Sequence, residues 1–173
     1  MSNGFTELLV YLDGSEDSMS AAMAAIVLAK QLESHLTAIY VVNTKALQDL
    51  VKARIFLDVE QQEYQRDIEG DAVRYLNHVK KLGKKKGVAV ECVKSEGAVH
   101  QVVRDYISAN SIDMLVIGGL SGIHSRRDEL LSETDRMMRN ATIPVFVVRD
   151  NDDIWDMYES LPDTEREDTY DID

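Results

Sequence analysis

Residues 111–149 contain the pattern that most constrains how this chain can fold. An apolar run from Met114 to Ile117 lies between Asp113 and the pair Gly118-Gly119. Such a run is typical of a strand that is buried on both faces of a parallel sheet. Because a polar loop follows the glycines directly, the strand is expected to end there.

A short helix and a second apolar strand complete this unit. Ser132, followed three residues later by Asp135, is typical of a helix N-cap. Pro144 cannot occupy a helix interior, so the helix is expected to end near Asn140. Val145–Val148 is then predicted to form a second all-apolar strand. Strand, glycine loop, helix and strand make a βαβ unit, and in open α/β sheets ligands bind at the carboxyl ends of such strands.

The rest of the chain continues this alternation. Further strands are predicted at Glu7–Leu12, Leu36–Val42 and Val88–Val93, with helices over 15–32 and 98–109. The total is five strands and four helical segments. Alternation with crossover connections predicts an α/β fold: a doubly wound, five-stranded parallel sheet with helices on both faces.

The stretch from Thr44 to Lys86 is helical in pattern and allows two interpretations. Apolar residues recur at helical spacing in both of its halves, and the segment 54–57 interrupts them. It is either one bent helix or a mobile lid segment followed by a helix. The lysines at 84–86 either complement the dipole at the end of this helix or meet the acidic end of the chain.

The opening strand runs into Asp13-Gly14-Ser15, and the glycine loop after Ile117 precedes the capped helix at Ser132. In this order, the two features resemble the universal stress protein family, whose fold is Rossmann-like. The resemblance covers most of residues 6–149 and implies that the chain binds ATP, with Mg²⁺, or another adenine nucleotide. It also implies a homodimer paired through Val145–Val148, and an apolar edge strand is one that must be covered.

The resemblance also implies where a nucleotide would lie. Asp13 would lie beside the adenine and ribose, and the backbone of Val42 would meet the adenine edge. The family motif G-x2-G-x9-G-[ST] would hold the phosphates, with its first two glycine places taken either by Gly118 and Ser121 or by Gly119 and Gly122. The full set of expected binding residues is Leu12, Asp13, Val42, Ile117, Gly118, Gly119, Ser121, Gly122, Leu131, Ser132 and Glu133.

Two residues depart from that motif. Leu131 stands where the family has its last glycine, and a leucine does not readily adopt a positive φ. Glu133 places a carboxylate at the helix N-terminus, where it would compete with a phosphate for the same N–H groups. Arg126 and Arg127 in the loop would offset this charge if they reached the phosphates.

Charge and composition exclude several classes of protein. The net charge is -12, and residues 149–173 alone hold eleven acidic residues against two arginines, so the remainder is close to neutral. This balance argues against nucleic-acid binding. The apolar runs are far shorter than the ~20 residues of a membrane span, and the N-terminus does not resemble a signal peptide. With a single cysteine, Cys92, a reducing cytoplasm is the expected location.

The chain is expected to divide into a domain at 1–149 and an acidic tail at 150–173. The composition of the tail favours disorder. Its apolar residues Ile154, Trp155, Met157, Tyr158 and Leu161 nevertheless have the spacing of one amphipathic turn that could dock in an apolar groove. The only tryptophan of the chain is the expected anchor of that turn.

Three functions remain open. The first is a dimeric regulatory protein of the universal stress type that binds an adenine nucleotide without efficient catalysis. The second is a dimeric interaction module that binds no nucleotide and uses its Trp-containing tail to bind a partner. The third, an enzyme of another α/β family, has the least support, because no catalytic set or metal-ligand spacing is present among the four histidines and other polar residues.

Overall fold

The computed structural model describes residues 4–53, 58–119, 132–149 and 151–164. Its centre is one sheet of five parallel strands in the order β3-β2-β1-β4-β5. The chain therefore builds outward from β1 in one direction and then returns to build outward in the other, which is the doubly wound fold that was predicted. The strands are β1 (Glu7–Leu12), β2 (His35–Val42), β3 (Val90–Glu96), β4 (Met114–Gly118) and β5 (Val145–Val148).

Helices cover both faces of the sheet. α1, α3 and α6 pack against one apolar cluster, and α4 and α5 pack against the other. β1 contributes to both clusters because its side chains alternate, with Val10 on the first face and Leu9 on the second. The described helices are α1 (Glu16–Leu32), α2 (Thr44–Lys52), α3 (Asp58–Lys85), α4 (Val99–Ala109), α5 (Glu133–Asn140) and α6 (Asn151–Ser160).

Asp113 fixes the start of β4 against the start of β1. Its Oδ2 accepts hydrogen bonds from the backbone N–H of Thr6 at 2.9 Å and of Glu7 at 2.8 Å, and from the Thr6 hydroxyl. These hydrogen bonds, led by the one from the Thr6 backbone, lower the pKa of the Asp113 carboxyl. The aspartate therefore links the two central strands at the amino edge of the sheet.

The predicted bounds of β1 and β5 are confirmed, whereas those of β3 are shifted. The turn after α3 continues to Val88, whose N–H donates to the carbonyl of Gly83 at 2.8 Å, so the strand begins only at Val90. Its far end extends to Glu96, which lies beside Val42 of β2. This end mixes polar and apolar residues, as an edge strand does, and an apolar run therefore underestimates its length.

The long helical stretch contains two helices, α2 and α3, in place of the single bent helix that was one alternative. The break predicted at 54–57 lies outside the described residues. The described part of the chain thus has six helices where the sequence pattern predicted four helical segments. The additional ones come from this division and from the C-terminal segment.

The expectation that the chain beyond Arg149 lacks regular structure is wrong for Asn151–Ser160, which forms α6. The alternative of a docked amphipathic turn is closer to the structure. Tyr158 is 1% exposed, packs in the core cluster with α1, and donates its hydroxyl to the carbonyl of Leu82 at 2.8 Å. Trp155 is 51% exposed, so the tyrosine, not the tryptophan, anchors the segment.

The end of α3 and the C-terminal segment hold each other in place. Lys86 is 2% exposed, and its ammonium group lies 2.8 Å from the carboxylate of Asp163 and 2.8 Å from the carbonyl of Leu161. Thr164 donates its N–H to the carbonyl of Lys85 at 2.9 Å, which satisfies a backbone acceptor at the helix terminus. The lysine run therefore meets the acidic end of the chain, one of the two alternatives left open.

Candidate functional site

The residues predicted to bind a ligand come from the carboxyl ends of three neighbouring strands. Leu12 lies beside Tyr40 of β2, and the pairing of Val10 with Val116 places Leu12 level with Gly118 of β4. Val42 ends β2 at the same edge. The direction of chain building reverses between β1 and β4, and this is the position at which doubly wound sheets bind ligands.

Asp13 is exposed in the turn that joins β1 to α1. Its Oδ1 accepts hydrogen bonds from the N–H of Ser15 at 2.9 Å and from the Ser15 hydroxyl. Ser15 in turn is the N-cap of α1, because its Oγ accepts from the N–H of Ser18 at 3.1 Å. One side of the carboxylate thus holds the turn, and the turn presents the carboxylate at the open edge of the sheet.

Two tyrosines that the sequence analysis missed form a wall beside this turn. Gly14 has a φ of 81°, and a Cβ atom built on it would lie 2.7 Å from the ring of Tyr75, a residue of α3. The tyrosine ring therefore packs directly on the glycine. Tyr75 stacks on Tyr40, with ring centroids 6.3 Å apart and planes inclined by 9°. The Tyr40 hydroxyl lies 3.4 Å from the carbonyl of Asp13. Burial raises the pKa of the Tyr40 hydroxyl, and the Asp13 carboxylate raises it further.

Gly118 and Gly119 have packing roles that need no bound phosphate. A Cβ atom on Gly118 would lie 2.6 Å from the carbonyl carbon of Asp17, so the glycine allows β4 to approach the first turn of α1. A Cβ on Gly119 would lie 2.8 Å from the carbonyl oxygen of Val148. The carbonyl of Val42, the predicted adenine contact, accepts a hydrogen bond from Gly97 at 3.1 Å.

Ser132 and Glu133 form the start of α5. The Ser132 hydroxyl accepts from the N–H of Asp135 at 3.1 Å, which confirms its predicted role as the N-cap. The Glu133 carboxylate lies 3.4 Å from the ring of His100 in α4 and 3.3 Å from the guanidinium group of Arg136. Its charge is therefore held near the helix N-terminus by neighbouring groups.

The remaining predicted residues divide into two groups. Leu12 and Ile117 are fully buried in the two opposite core clusters, so their side chains support the crevice from within. Ser121, Gly122 and Leu131 lie outside the described residues, as do Arg126 and Arg127. The choice between the two glycine alignments therefore stays open.

A family model described as the Universal stress protein family matches residues 4–149. The chain belongs to the universal stress protein family. The universal stress protein YxiE of Bacillus subtilis is 27% identical over 153 residues, which cover 84% of this chain and 99% of that protein. These matches confirm the family resemblance that was inferred from the D-G-S turn and the glycine loop.

Solved structures of universal stress proteins share the fold. A member from Burkholderia pseudomallei has a TM-score of 0.63 and 20% identity, covering 86% of this chain and 98% of that one. A universal stress protein in complex with cAMP has a TM-score of 0.63 and 18% identity, covering 83% and 97%. At these identities the likeness concerns the architecture alone.

Two carboxylates of this universal stress protein, on Asp13 and Glu133, influence the same tyrosine of β1. Burial raises the pKa of the Tyr11 hydroxyl, and the carboxylates of Asp13 and Glu133 raise it further, so both carboxylates act on the same side chain. Asp13 and the tyrosine wall suit the adenine and ribose of a nucleotide, which offer a flat ring and hydrogen-bond donors. Glu133 places a second carboxylate in this part of the chain, at the start of α5.

Two absences concern the described residues alone. Within residues 4–53, 58–119, 132–149 and 151–164, no group of three or more His, Cys, Asp or Glu side chains is arranged to hold a metal ion. None of the helices in the described part of this universal stress protein combines the length and apolar character needed to cross a bilayer.

Proposed function

We propose that this universal stress protein is a cytoplasmic regulatory protein that binds an adenine nucleotide, ATP or another one, without efficient catalysis. The observation that carries the proposal is the exposed Asp13 carboxylate beside the Tyr40–Tyr75 pair, at the sheet edge shared with Val42 and Gly118. The solved family member in complex with cAMP supports the ligand class.

The charge of the crevice bears on which nucleotide binds best. Two carboxylates, on Asp13 and Glu133, raise the pKa of the Tyr11 hydroxyl beyond the effect of its burial. Like charges in a partly buried site repel by an amount that grows with every added phosphate. We therefore propose that nucleotides with a single phosphate bind more tightly than free ATP, and that Mg²⁺ assists ATP by neutralising its phosphates.

Nucleotide carried through purification tests this proposal. The full chain would be purified from cells and heated, and the released supernatant would be analysed for adenine nucleotides by chromatography. We expect nucleotide from the native chain and loss of it from Asp13→Asn. Asp105→Asn, which makes the same charge change at an exposed position on α4, is the matched control. An absence of nucleotide from the native chain, with no thermal shift on adding AMP or ATP, would contradict the proposal.

We further propose that the protein forms a homodimer through β5. Within the described residues this strand ends the sheet, paired with β4 alone, and Phe146 is 38% exposed on it. An apolar edge strand favours pairing with another strand. Light scattering should therefore show a dimer that Phe146→Lys converts to a monomer. Leu32→Lys, at an apolar residue exposed elsewhere, should leave the mass unchanged.

The second candidate is an interaction module that binds no nucleotide. The observation in its favour is the outer face of α6, where Trp155 and Met157 are about half exposed although Tyr158 anchors the helix. Such a helix, with apolar side chains among carboxylates, would suit a partner with a basic and apolar surface. If the native chain carries no nucleotide and shows no thermal shift, this candidate replaces the first.

A further inference from the structure

A second cavity lies between α4 and α5, on the face of the sheet opposite the tyrosine wall. Its volume is about 440 Å³. Val103 of α4, Leu115 of β4 and Met137 of α5 lie at its base, almost fully buried in the core cluster on this face. Ile107 of α4 and Ala141 after α5 are the partly exposed apolar residues of its lining. Tyr40 and Tyr75, in contrast, pack with the opposite cluster. The cavity and the tyrosine wall therefore lie on opposite faces of the sheet.

The lengths of the two helices explain why this space is open. α5 has eight residues and is roughly 12 Å long, whereas α4 has eleven and is roughly 16 Å long. The chain leaves α5 at Ala141 and turns through Pro144 into β5. A short helix that ends early cannot cover its neighbour fully, so a groove remains between the two helices. Its lining includes His100 on α4 and Thr142 after α5.

The lining is cationic in a chain whose net charge is -12. Arg104 and Arg136 line the cavity, and no carboxylate does so among its described lining residues. Arg136 contacts Glu133 at 3.3 Å. Arg104 pairs only loosely with Asp105, whose carboxylate is 3.7 Å away, and both of these side chains are largely exposed. An exposed pair of this kind is weak, so Arg104 is available to a ligand in the cavity.

We propose that this cavity binds a small amphipathic organic anion, a carboxylate with an unbranched apolar body. The apolar body lies over Ile107 and Ala141, above the buried base of the cavity, and the carboxylate pairs with the guanidinium group of Arg104. The volume is within the range of small-molecule sites, which are mostly apolar with a few polar groups that fix orientation. A guanidinium fork matches a carboxylate in geometry as well as charge.

Octanoate and 1-octanol test this proposal, because they share an apolar chain and differ in charge. The full chain would be titrated with octanoate and monitored by amide NMR. The titration should show one octanoate per chain with a Kd on the order of 1 mM. The largest shifts should occur at Ile107, Met137 and Ala141. Octanol should bind at least fivefold more weakly. Arg104→Gln should weaken octanoate at least fivefold and leave octanol unchanged.

Arg74→Gln is the matched control, because Arg74 is an exposed arginine on α3 that pairs with Asp71 far from the cavity. It should bind octanoate like the native chain. Equal loss in both variants, shifts centred on Asp13 and Tyr40, or no saturable binding up to ~10 mM would each overturn the proposal. A change in oligomeric mass in Arg104→Gln would also overturn it, because the cavity would then belong to a subunit interface.

Discussion

Glu133 is the single residue that most affects the phosphate end of the proposed nucleotide site. Its carboxylate is held by His100 and Arg136 at the start of α5. A helix N-terminus attracts anions through its N–H groups and dipole, and a fixed carboxylate there weakens that attraction. In the proposed site, we therefore expect this residue to oppose highly charged nucleotides and to affect the Asp13 end less.

We expect Glu133→Gln to raise the affinity for free ATP about fivefold, or roughly 1 kcal/mol, and to change the affinity for AMP less. The reason is the loss of one negative charge near the phosphates. Calorimetric titration of both nucleotides measures the effect. Glu91→Gln, which removes an exposed carboxylate at the other end of the sheet, should change neither affinity. Equal changes for the two nucleotides would contradict the charge argument.

Gly118 offers a prediction about packing. Gly118→Ala should lower the free energy of unfolding by roughly 1 to 3 kcal/mol, because the new methyl group would lie 2.6 Å from the backbone of Asp17. Gly70→Ala is the control: nothing lies within 4 Å of its Cβ position, and α3 should gain about 0.5 to 1 kcal/mol there. Denaturant unfolding gives both values. Equal stability of the two variants would show that β4 does not approach α1 so closely.

At the scale of the elements, packing orders the C-terminal segment 151–164 although its composition favours disorder. Its acidity predicts disorder, yet Tyr158 and Lys86 together bury an apolar ring and a paired ammonium group. The ammonium group lies 5.0 Å from the centre of the tyrosine ring. The docked segment is therefore stabilised by a few contacts at one end of α3.

Tyr158→Ala should release this segment, because loss of a buried aromatic ring costs about 3 to 5 kcal/mol. Trp155→Ala should have a much smaller effect, about 1 kcal/mol or less, since half of the indole is already exposed. Hydrogen exchange of the α6 amides measures both. Loss of protection in Trp155→Ala with retention in Tyr158→Ala would reverse the assignment of the anchor.

Docking of the segment should also depend on pH. The hydrogen bond from Lys86 lowers the pKa of the Asp163 carboxyl. The stabilisation is therefore complete above the usual carboxyl pKa of about 3.9, and it is lost as pH falls through the lower, folded value. Trp155, the only tryptophan, reports this undocking by fluorescence. In Asp163→Asn the C-terminal segment should dock less tightly. The fluorescence of this variant should lack the low-pH change that titration of Asp163 causes in the native chain. Identical curves of fluorescence against pH for the native chain and Asp163→Asn would contradict the role of Asp163 in docking.

At the scale of the whole molecule, apolar runs bounded by turn residues were sufficient to predict the sheet. β1 ends at Asp13-Gly14 and β5 follows Pro144, so both were placed correctly. The crevice was predicted in part: Asp13, Val42 and Gly118 share one edge. The stacking of Tyr40 on Tyr75 was missed because it joins residues from a strand and a helix that have no common sequence pattern. The anchor of the tail was missed because composition does not show which aromatic ring faces the core.

Amide NMR during titration with AMP tests most directly whether the three strand ends form one nucleotide site. We predict that the amides of Asp13, Val42 and Gly119 shift together along one saturation curve, and that Asp13→Asn abolishes these shifts while preserving the rest of the spectrum. Absence of saturable shifts at these residues, or shifts confined to 151–164, would contradict the account.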